Sequence, residues 1–197
     1  MSKTPTLYLI DGFSLAFRAF YALPPNMMNA QGEPTNMIYG FLNTLTNIIL
    51  DEKPQYLGVV FDRPEITERK QIYQEYKANR EDAPEEFKVQ VEPLKALLKK
   101  LGVPIFEKPG FEADDVIGTM AKIAGKKNIK TRILSGDRDL FQLVDGHVTI
   151  VYPKKGISQT EKVNSPEKVL EKLGVTPDKV IDLKGLMGDS SDNIPGI

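Results

Sequence analysis

In the stretch PGFEADDVIGTMA, the carboxylates Glu112, Asp114 and Asp115 crowd together just ahead of an apolar run with helical spacing. Other acids close other short motifs: Asp11 in TLYLIDG, Asp62 in QYLGVVFD, Asp137 and Asp139 in ILSGDRDLF, and Asp189 and Asp192 in GDSSDN. Each has an ordinary explanation by itself. Acids at a helix start are favoured by the macrodipole, Asp-Gly after a strand is turn chemistry, and Asp137 has the position of a helix cap. Asp189 and Asp192 suit a polar loop or, on a helical turn, one shared face. Jointly they have a chemical explanation. Carboxylates gathered in one pocket repel unless protonated or neutralised, and no comparable set of Lys and Arg occupies the same motifs. A divalent cation is then the simplest neutraliser. All-oxygen ligands favour Mg²⁺ or Mn²⁺ over zinc. More acids than one ion needs imply two, roughly 3.5–4 Å apart in such sites. This is an arrangement for phosphodiester hydrolysis, one ion lowering the pKa of the attacking water and the pair stabilising the leaving oxygen.

For that chemistry the acids must reach one edge of the fold. TLYLID, QYLGVVFD, VPIFE, IKTRILSGD and VTIVYP read as strands, the last followed by a turn at residues 154–156. Between them SLAFRAFYAL, with Ser14 as its cap, TNMIYGFLNTLTNIILDEK, FKVQVEPLKALLKKLG and EADDVIGTMAKIAGK read as helices, and PEKVLEKLG and PDKVIDLKGLMG close the chain. Strands alternating with helices predict an α/β fold with a mainly parallel central sheet flanked by helices. Ligands bind such sheets outside the carboxyl ends of the strands, and right-handed crossovers put those ends on one side. Asp11, Asp62 and Asp137 end three strands, and Glu112 to Asp115 follow a fourth.

Composition limits the alternatives. With 197 residues and 41% apolar content, the chain can bury the core of one domain, expected to span residues 1–197. Basic and acidic residues number 26 and 27, for a net charge of -1. That balance argues against a polycation coating nucleic acid but permits a local basic patch. With no Cys and a single His, His147, disulfides and a histidine-rich zinc site are excluded. The first residues lack the apolar core of a secretory signal, and no run is apolar for long enough to cross a bilayer. A soluble, cytoplasmic protein without membrane partners is expected.

The segment ERKQIYQEYKANR interleaves Arg69, Lys70, Lys77 and Arg80 with Tyr73 and Tyr76. Cations can hold phosphates and rings can stack on bases. A solvated helix face with Glu68 and Glu75 paired to lysines explains it equally well. Beside an acidic pocket the first explanation gains, because a polyanion must be drawn to a negative site. Arg18, within FRAFYAL, is a further candidate phosphate clamp, whereas Phe17, Phe20 and Tyr21 read as core. LKKLG and GKKNIK look like ordinary exposed helix ends.

The motifs LYLIDG, GEPTNMIYGF, VVFDRP, YKANR, GFEADDVIG, ILSGDRDLFQL and LMGDSSDNIPGI occur in that order. Together they resemble the 5′-3′ exonuclease domain of bacterial DNA polymerase I, a relative of flap endonucleases, along nearly the whole chain. The resemblance implies a PIN-like (resolvase-like) fold with a helical arch and a two-metal site. Carried across, it makes Asp11, Asp62, Glu112 and Asp114 ligands around one ion. Asp137, Asp139, Asp189 and Asp192 surround the other, with Asp115 near both. It makes Lys77 the active-site lysine and Arg80 a phosphate-binding arginine, places Tyr76 against a base, and lets NMMNAQGEP touch DNA. It further implies a helix-hairpin-helix region after residue 197, a covalently linked polymerase domain in a full-length protein, and a monomer. The implied substrates are DNA with a 5′ end or flap and an RNA primer–DNA hybrid. A PIN-type ribonuclease and a non-catalytic DNA-binding fragment are the alternatives.

Overall fold

The apolar runs of the sequence become the centre of one sheet. In the computed structural model, which describes residues 4–154 and 159–197, β1 (Thr6–Asp11), β2 (Tyr56–Val60), β3 (Ile105–Phe106), β4 (Lys130–Leu134) and β5 (Val148–Pro153) run parallel. A further strand, β6 (Thr160–Val163), pairs antiparallel with β5. The order across the sheet is β3-β2-β1-β4-β5-β6. The chain therefore builds outward from β1 in one direction, then returns to place β4 on its other side.

Alternation along the strands sends side chains to two cores. Tyr8 and Ile10 of β1, Val59 of β2, Leu134 of β4 and Val151 of β5 enter one core. There they meet α1 (Gly12–Ala22), α2 (Asn36–Asn47) and α4 (Glu85–Lys100) through Leu15, Phe41 and Leu94. Leu9, Val60, Ile133 and Ile150 enter the other. That face is covered by α5 (Ala113–Lys126), α6 (Pro166–Leu173) and α7 (Val180–Met187), through Ile117, Val169 and Val180. With both faces covered, the central strands read as continuous apolar runs.

Several elements differ from the expectation. Asp11, not Ser14, is the N-cap of α1 and accepts from the Ser14 amide at 3.1 Å. The second helix ends in a π segment, Ile48–Glu52. The polar stretch after β2 yields only the five-residue α3 (Glu68–Ile72) and turns, because it has few apolar side chains to fasten it. A 3₁₀ turn, Pro177–Lys179, precedes α7. Another, Asp139–Leu143, seats Leu140 and Phe141 in the second core. The turn expected at 154–156 lies largely outside the described residues. Phe17 stacks on Phe87 at 4.1 Å, as a core ring should, but Tyr21 is exposed.

Candidate metal centre and nucleic-acid interface

Because β1 lies between β2 and β4, its carboxyl end is the middle of the site. Asp11 ends β1, Asp62 follows β2, and Asp137 follows β4. The gap between β1 and β4 is where the strand order reverses, the usual ligand crevice of such sheets. Ser135 stitches the two sides together: its hydroxyl donates to Asp11 at 2.7 Å and accepts from the Asp137 amide at 3.0 Å. Asp137 in turn accepts from the Asp139 amide at 2.8 Å, so it also fixes the turn into the 3₁₀ segment. Asp62 accepts from the Ala113 amide at 2.8 Å, at the start of α5. The close approach of β1 and β2 at this end needs Gly12, where a Cβ would lie 2.4 Å from the Phe61 ring.

The acids of α5 divide their work. Asp115 accepts from the Glu112 amide at 3.0 Å, one half of a capping box. Asp114 faces inward. Burial first, and then the charges of Asp11, Asp137 and Asp62, push its carboxyl up to about 8. Burial likewise pushes Asp11 up to about 6, opposed by its bonds to Ser135 and Ser14 and reinforced by Asp62 and Asp137. These four carboxylates form an inner group, in which the charges of Asp62 and Asp137 help to push Asp11 and Asp114 up.

The remaining acids are paired with cations. Arg69 grips Asp115 through two bonds of 2.6 and 2.7 Å. Lys77 lies 2.9 Å from Glu112, and Arg80 2.6 Å from Asp192. Lys184, on α7, lies 2.7 Å from both Asp139 and Asp189. The acidic motifs hold no comparable set of cations themselves; the fold brings Arg69, Lys77 and Arg80 to them from the stretch after β2, and Lys184 from α7. Lys184 is the residue that the sequence motifs did not single out. Its only signal was a position five residues ahead of Asp189 on the last helix.

Contacts divide the acids differently from the expected two sets. Asp137 joins Asp11, Asp62 and Asp114, whereas Glu112 turns to Lys77 and to the hydroxyl of Tyr76, 3.0 Å away. Asp189 and Asp192 line the same cavity but bind different partners. Asp189 is bound to Lys184 and Ser191, and Asp192 to Arg80 and Tyr76. Tyr76 itself is buried, so its ring is packed rather than offered to a base. Lys70 donates to the Tyr76 carbonyl at 2.9 Å, which spends its ammonium on holding the turn. Arg18 is not among the residues that line the cavity between these acids, and donates to the Lys154 carbonyl at 2.5 Å. Neither Glu68 nor Glu75 forms an ion pair among the described residues.

The turn bearing Lys77 is tied down by the chain's last described residues. Lys77 adopts φ +56°, and its amide donates to the Asp192 carbonyl at 2.9 Å. Asn79 donates to the Ser190 carbonyl at 2.7 Å, and Asn193 to the Glu75 carbonyl at 2.8 Å.

Between these elements opens a cavity of about 490 Å³. Asp114 and Asp137 line it from the sheet side, Lys77 and Arg80 from above, and Asp189 and Lys184 from α7. The donor chemistry fits a hard divalent cation, since carboxylate oxygens surround the buried, mutually repelling Asp114. Among the described residues no three acid or histidine side chains close on a single point. The acids are arrayed as a wide pocket, as suits Mg²⁺, which is commonly held by one or two carboxylates plus water and phosphate oxygens.

Comparison with known proteins agrees with this geometry. The family model described as 5′-3′ exonuclease, N-terminal resolvase-like domain matches residues 6–174. A 5′-3′ exonuclease of Aquifex aeolicus is 46% identical over 192 residues, covering 98% of this chain and 64% of its own. A DNA polymerase I of Bacillus subtilis is 44% identical across all 197 residues, which make up 22% of that relative. The chain thus spans less than two thirds of the length of these relatives. A bacteriophage T5 D15 flap endonuclease, solved as a pseudo-enzyme–product complex with DNA and metal ions, superposes with a TM-score of 0.75 at 24% identity, covering 98% of this chain and 70% of that one. At that identity the likeness establishes the fold, with its mainly parallel sheet between helical layers.

Proposed function

We propose a function from one premise: the chain belongs to the family of 5′-3′ exonuclease N-terminal, resolvase-like domains. It hydrolyses phosphodiester bonds of DNA near 5′ ends and at 5′ flaps, and of RNA primers paired to DNA, in replication and repair. The observation that carries this is the inner group of Asp11, Asp62, Asp114 and Asp137 at one sheet edge, beneath a turn that presents Lys77 and Arg80.

Divalent ions, Mg²⁺ or Mn²⁺, would supply Lewis-acid activation of water and charge stabilisation at the leaving oxygen. Asp11, Asp62, Asp114 and Asp137, with Glu112 beside them, would hold one. Asp139, Asp189 and Asp192 would hold a second, and Asp115 contributes where Arg69 yields it. The chain's own cations do the rest. Lys77 and Arg80 line the same cavity as Asp114 and Asp137, so a phosphate held there meets positive charge on its non-bridging oxygens. The stretch after β2 is fastened to the start of α5 by Arg69 on Asp115 and by Lys77 and Tyr76 on Glu112, and the cavity these residues line would receive a single strand. Burial of Asp11 and Glu112 and the packed ring of Tyr76 limit bulk water on the sheet side. In relatives named DNA polymerase I the matching region is about a fifth of the chain, and a linked polymerase would make the primers it removes contiguous with the strand it extends.

The test is cleavage of a 5′-flap duplex and of a single-stranded RNA, each with Mg²⁺, Mn²⁺ or EDTA. Flap cleavage lost in EDTA and in Asp137→Ala is expected. Cleavage of RNA alone would point instead to a PIN-type ribonuclease. Flap binding without cleavage would make the chain a DNA-binding fragment.

A further inference from the structure

The catalytic cavity does not stop at the acids. It runs on along α5 into a second groove of about 410 Å³, and the two share Gly118, Lys122, Gln142 and Leu143 as walls. Lys122 and Lys126 stand four residues apart on α5 and so project from one face. Both are exposed, and among the described residues neither has a carboxylate within ion-pair distance. In this they differ from Arg69, Lys77, Arg80 and Lys184, each of which holds an acid. His147 faces Lys126 across the groove. The groove's one acid, Asp145, is occupied by the amides of His147 and Val148 at 2.7 and 2.8 Å. Its floor is low because Gly118 and Gly125 carry no side chain, and a Cβ there would meet Leu143 at 3.6 Å and His147 at 4.0 Å.

We propose that this groove holds the sugar-phosphate backbone of the DNA substrate beyond the cut bond, with Lys122 and Lys126 as its phosphate contacts. The inference rests on the nuclease function above. At a rise of about 1.5 Å per residue, Lys122 and Lys126 lie roughly 10 and 16 Å along α5 from Asp115, a distance of two to three nucleotides from the inner acids. The cations of the turn at 76–80 line the same cavity as Lys122, so a strand in it meets both sets of positive charge. Exposed lysines on a helix are ordinarily only solvated. These two are set apart by a channel continuous with the acids, a floor lowered by Gly118 and Gly125, and the lack of an ion-pair partner among the described residues.

The double variant Lys122→Ala/Lys126→Ala is compared with Lys99→Ala/Lys100→Ala, on the last turn of α4, using a 5′-flap duplex in Mg²⁺ across a salt series. The expected result is a KM raised about tenfold, a kcat within about twofold, and a log–log salt slope shallower by about two, since each phosphate contact contributes roughly one. Methylphosphonate linkages placed one at a time on either side of the cut bond should weaken binding to the native chain at the second or third position, and not to the double variant. A native KM and slope in the double variant, or equal methylphosphonate effects in both proteins, overturns the groove assignment while cleavage by the native chain stands. If the native chain binds the flap without cutting it, the same Kd and slope changes in an anisotropy titration still decide the groove, and only the nuclease function is lost. Failure of the native chain to bind the flap sinks both.

Discussion

The phenol of Tyr76 meets the carboxylate of Asp192 at 3.0 Å, across 116 positions of the chain. The same oxygen lies 3.0 Å from Glu112, so its single proton serves two acids in turn. Burial, and then the charges of Glu112 and Asp192, hold the phenol well above its ordinary pKa and therefore protonated. Tyr76→Phe keeps the ring and removes the donor from both carboxylates. A loss of about 1–3 kcal/mol is expected, the range for hydrogen bonds to charged groups. Equilibrium denaturation in urea measures it, and an unchanged midpoint would show that the two acids find other donors.

Lys77 reaches its position through a left-handed backbone, at a conformational cost of about 1 kcal/mol for a residue with a side chain. Its ammonium lies 2.9 Å from Glu112 and 4.9 Å from the Tyr76 ring centroid. Lys77→Met retains the stem and deletes the charge. Cleavage of a 5′-flap duplex should lose about 10²–10³-fold in kcat, the scale for one transition-state donor, with KM little changed. A defect seen in KM alone would make Lys77 a substrate-binding residue only.

Lys184 holds Asp139 and Asp189 together. Burial raises the Asp189 carboxyl, but hydrogen bonds from Lys184 and from the Ser191 hydroxyl and amide, with the Lys184 charge, hold it down at about 2. The ammonium is more than a third exposed, so water screens part of the interaction. Lys184→Met in EDTA should cost up to about 1 kcal/mol. Added Mg²⁺ should then raise the melting temperature of the variant more than that of the native chain, because two acids have lost their internal counter-charge. Equal Mg²⁺ shifts in both proteins would place Asp139 and Asp189 outside the metal site.

The inner acids predict an inverted pH response. Asp114 at about 8 and Asp11 at about 6 both lie above their unfolded value near 3.8, so between those limits the folded state binds more protons than the unfolded one. Stability in EDTA should therefore fall as pH rises from about 5 to 8.5, most steeply below 6, where the folded state holds the protons of both Asp11 and Asp114, and more gently above 6, where only Asp114 keeps its proton. A melting temperature at least about 3 °C lower at pH 8.5 is expected, corresponding to roughly 1 kcal/mol for a chain of this size. Asp114→Asn should flatten the slope, and Mg²⁺ should oppose it in the native chain. A curve that rises over this interval would show that Asp114 is ionised without penalty.

The sheet was legible because each strand ends in the residue that matters: the run TLYLID carries both its core pattern and Asp11. The helix EADDVIGTMAKIAGK was legible for the same reason, its apolar spacing marking the face that buries Ile117. β6 escaped because TEKV alternates too briefly to stand out from the polar stretch around it. The contacts of the cations were hidden for a different reason. Lys184 reads as an ordinary helix residue until α7 packs against Asp139–Leu143, and Arg69 meets Asp115 only because the stretch after β2 folds back onto the start of α5. Tyr76 was misassigned to base stacking because an aromatic ring amid cations looks exposed in sequence. In the fold the residue is buried, and its hydroxyl is held by Glu112 and by Asp192, more than a hundred residues away.

The bonds that join residues 75–80 to 190–193 make these two stretches one mechanical part. Lys77 has no independent address in the molecule: its amide, the side chain of its neighbour Asn79, and the carbonyl of Glu75 are all referenced to the GDSSDN loop. A chimera that imports the basic turn from a relative and keeps the native loop would receive the lysine without its coordinates. The two travel as a cassette, and the unit on which exchange or redesign can act here is a pair of segments from opposite halves of the chain.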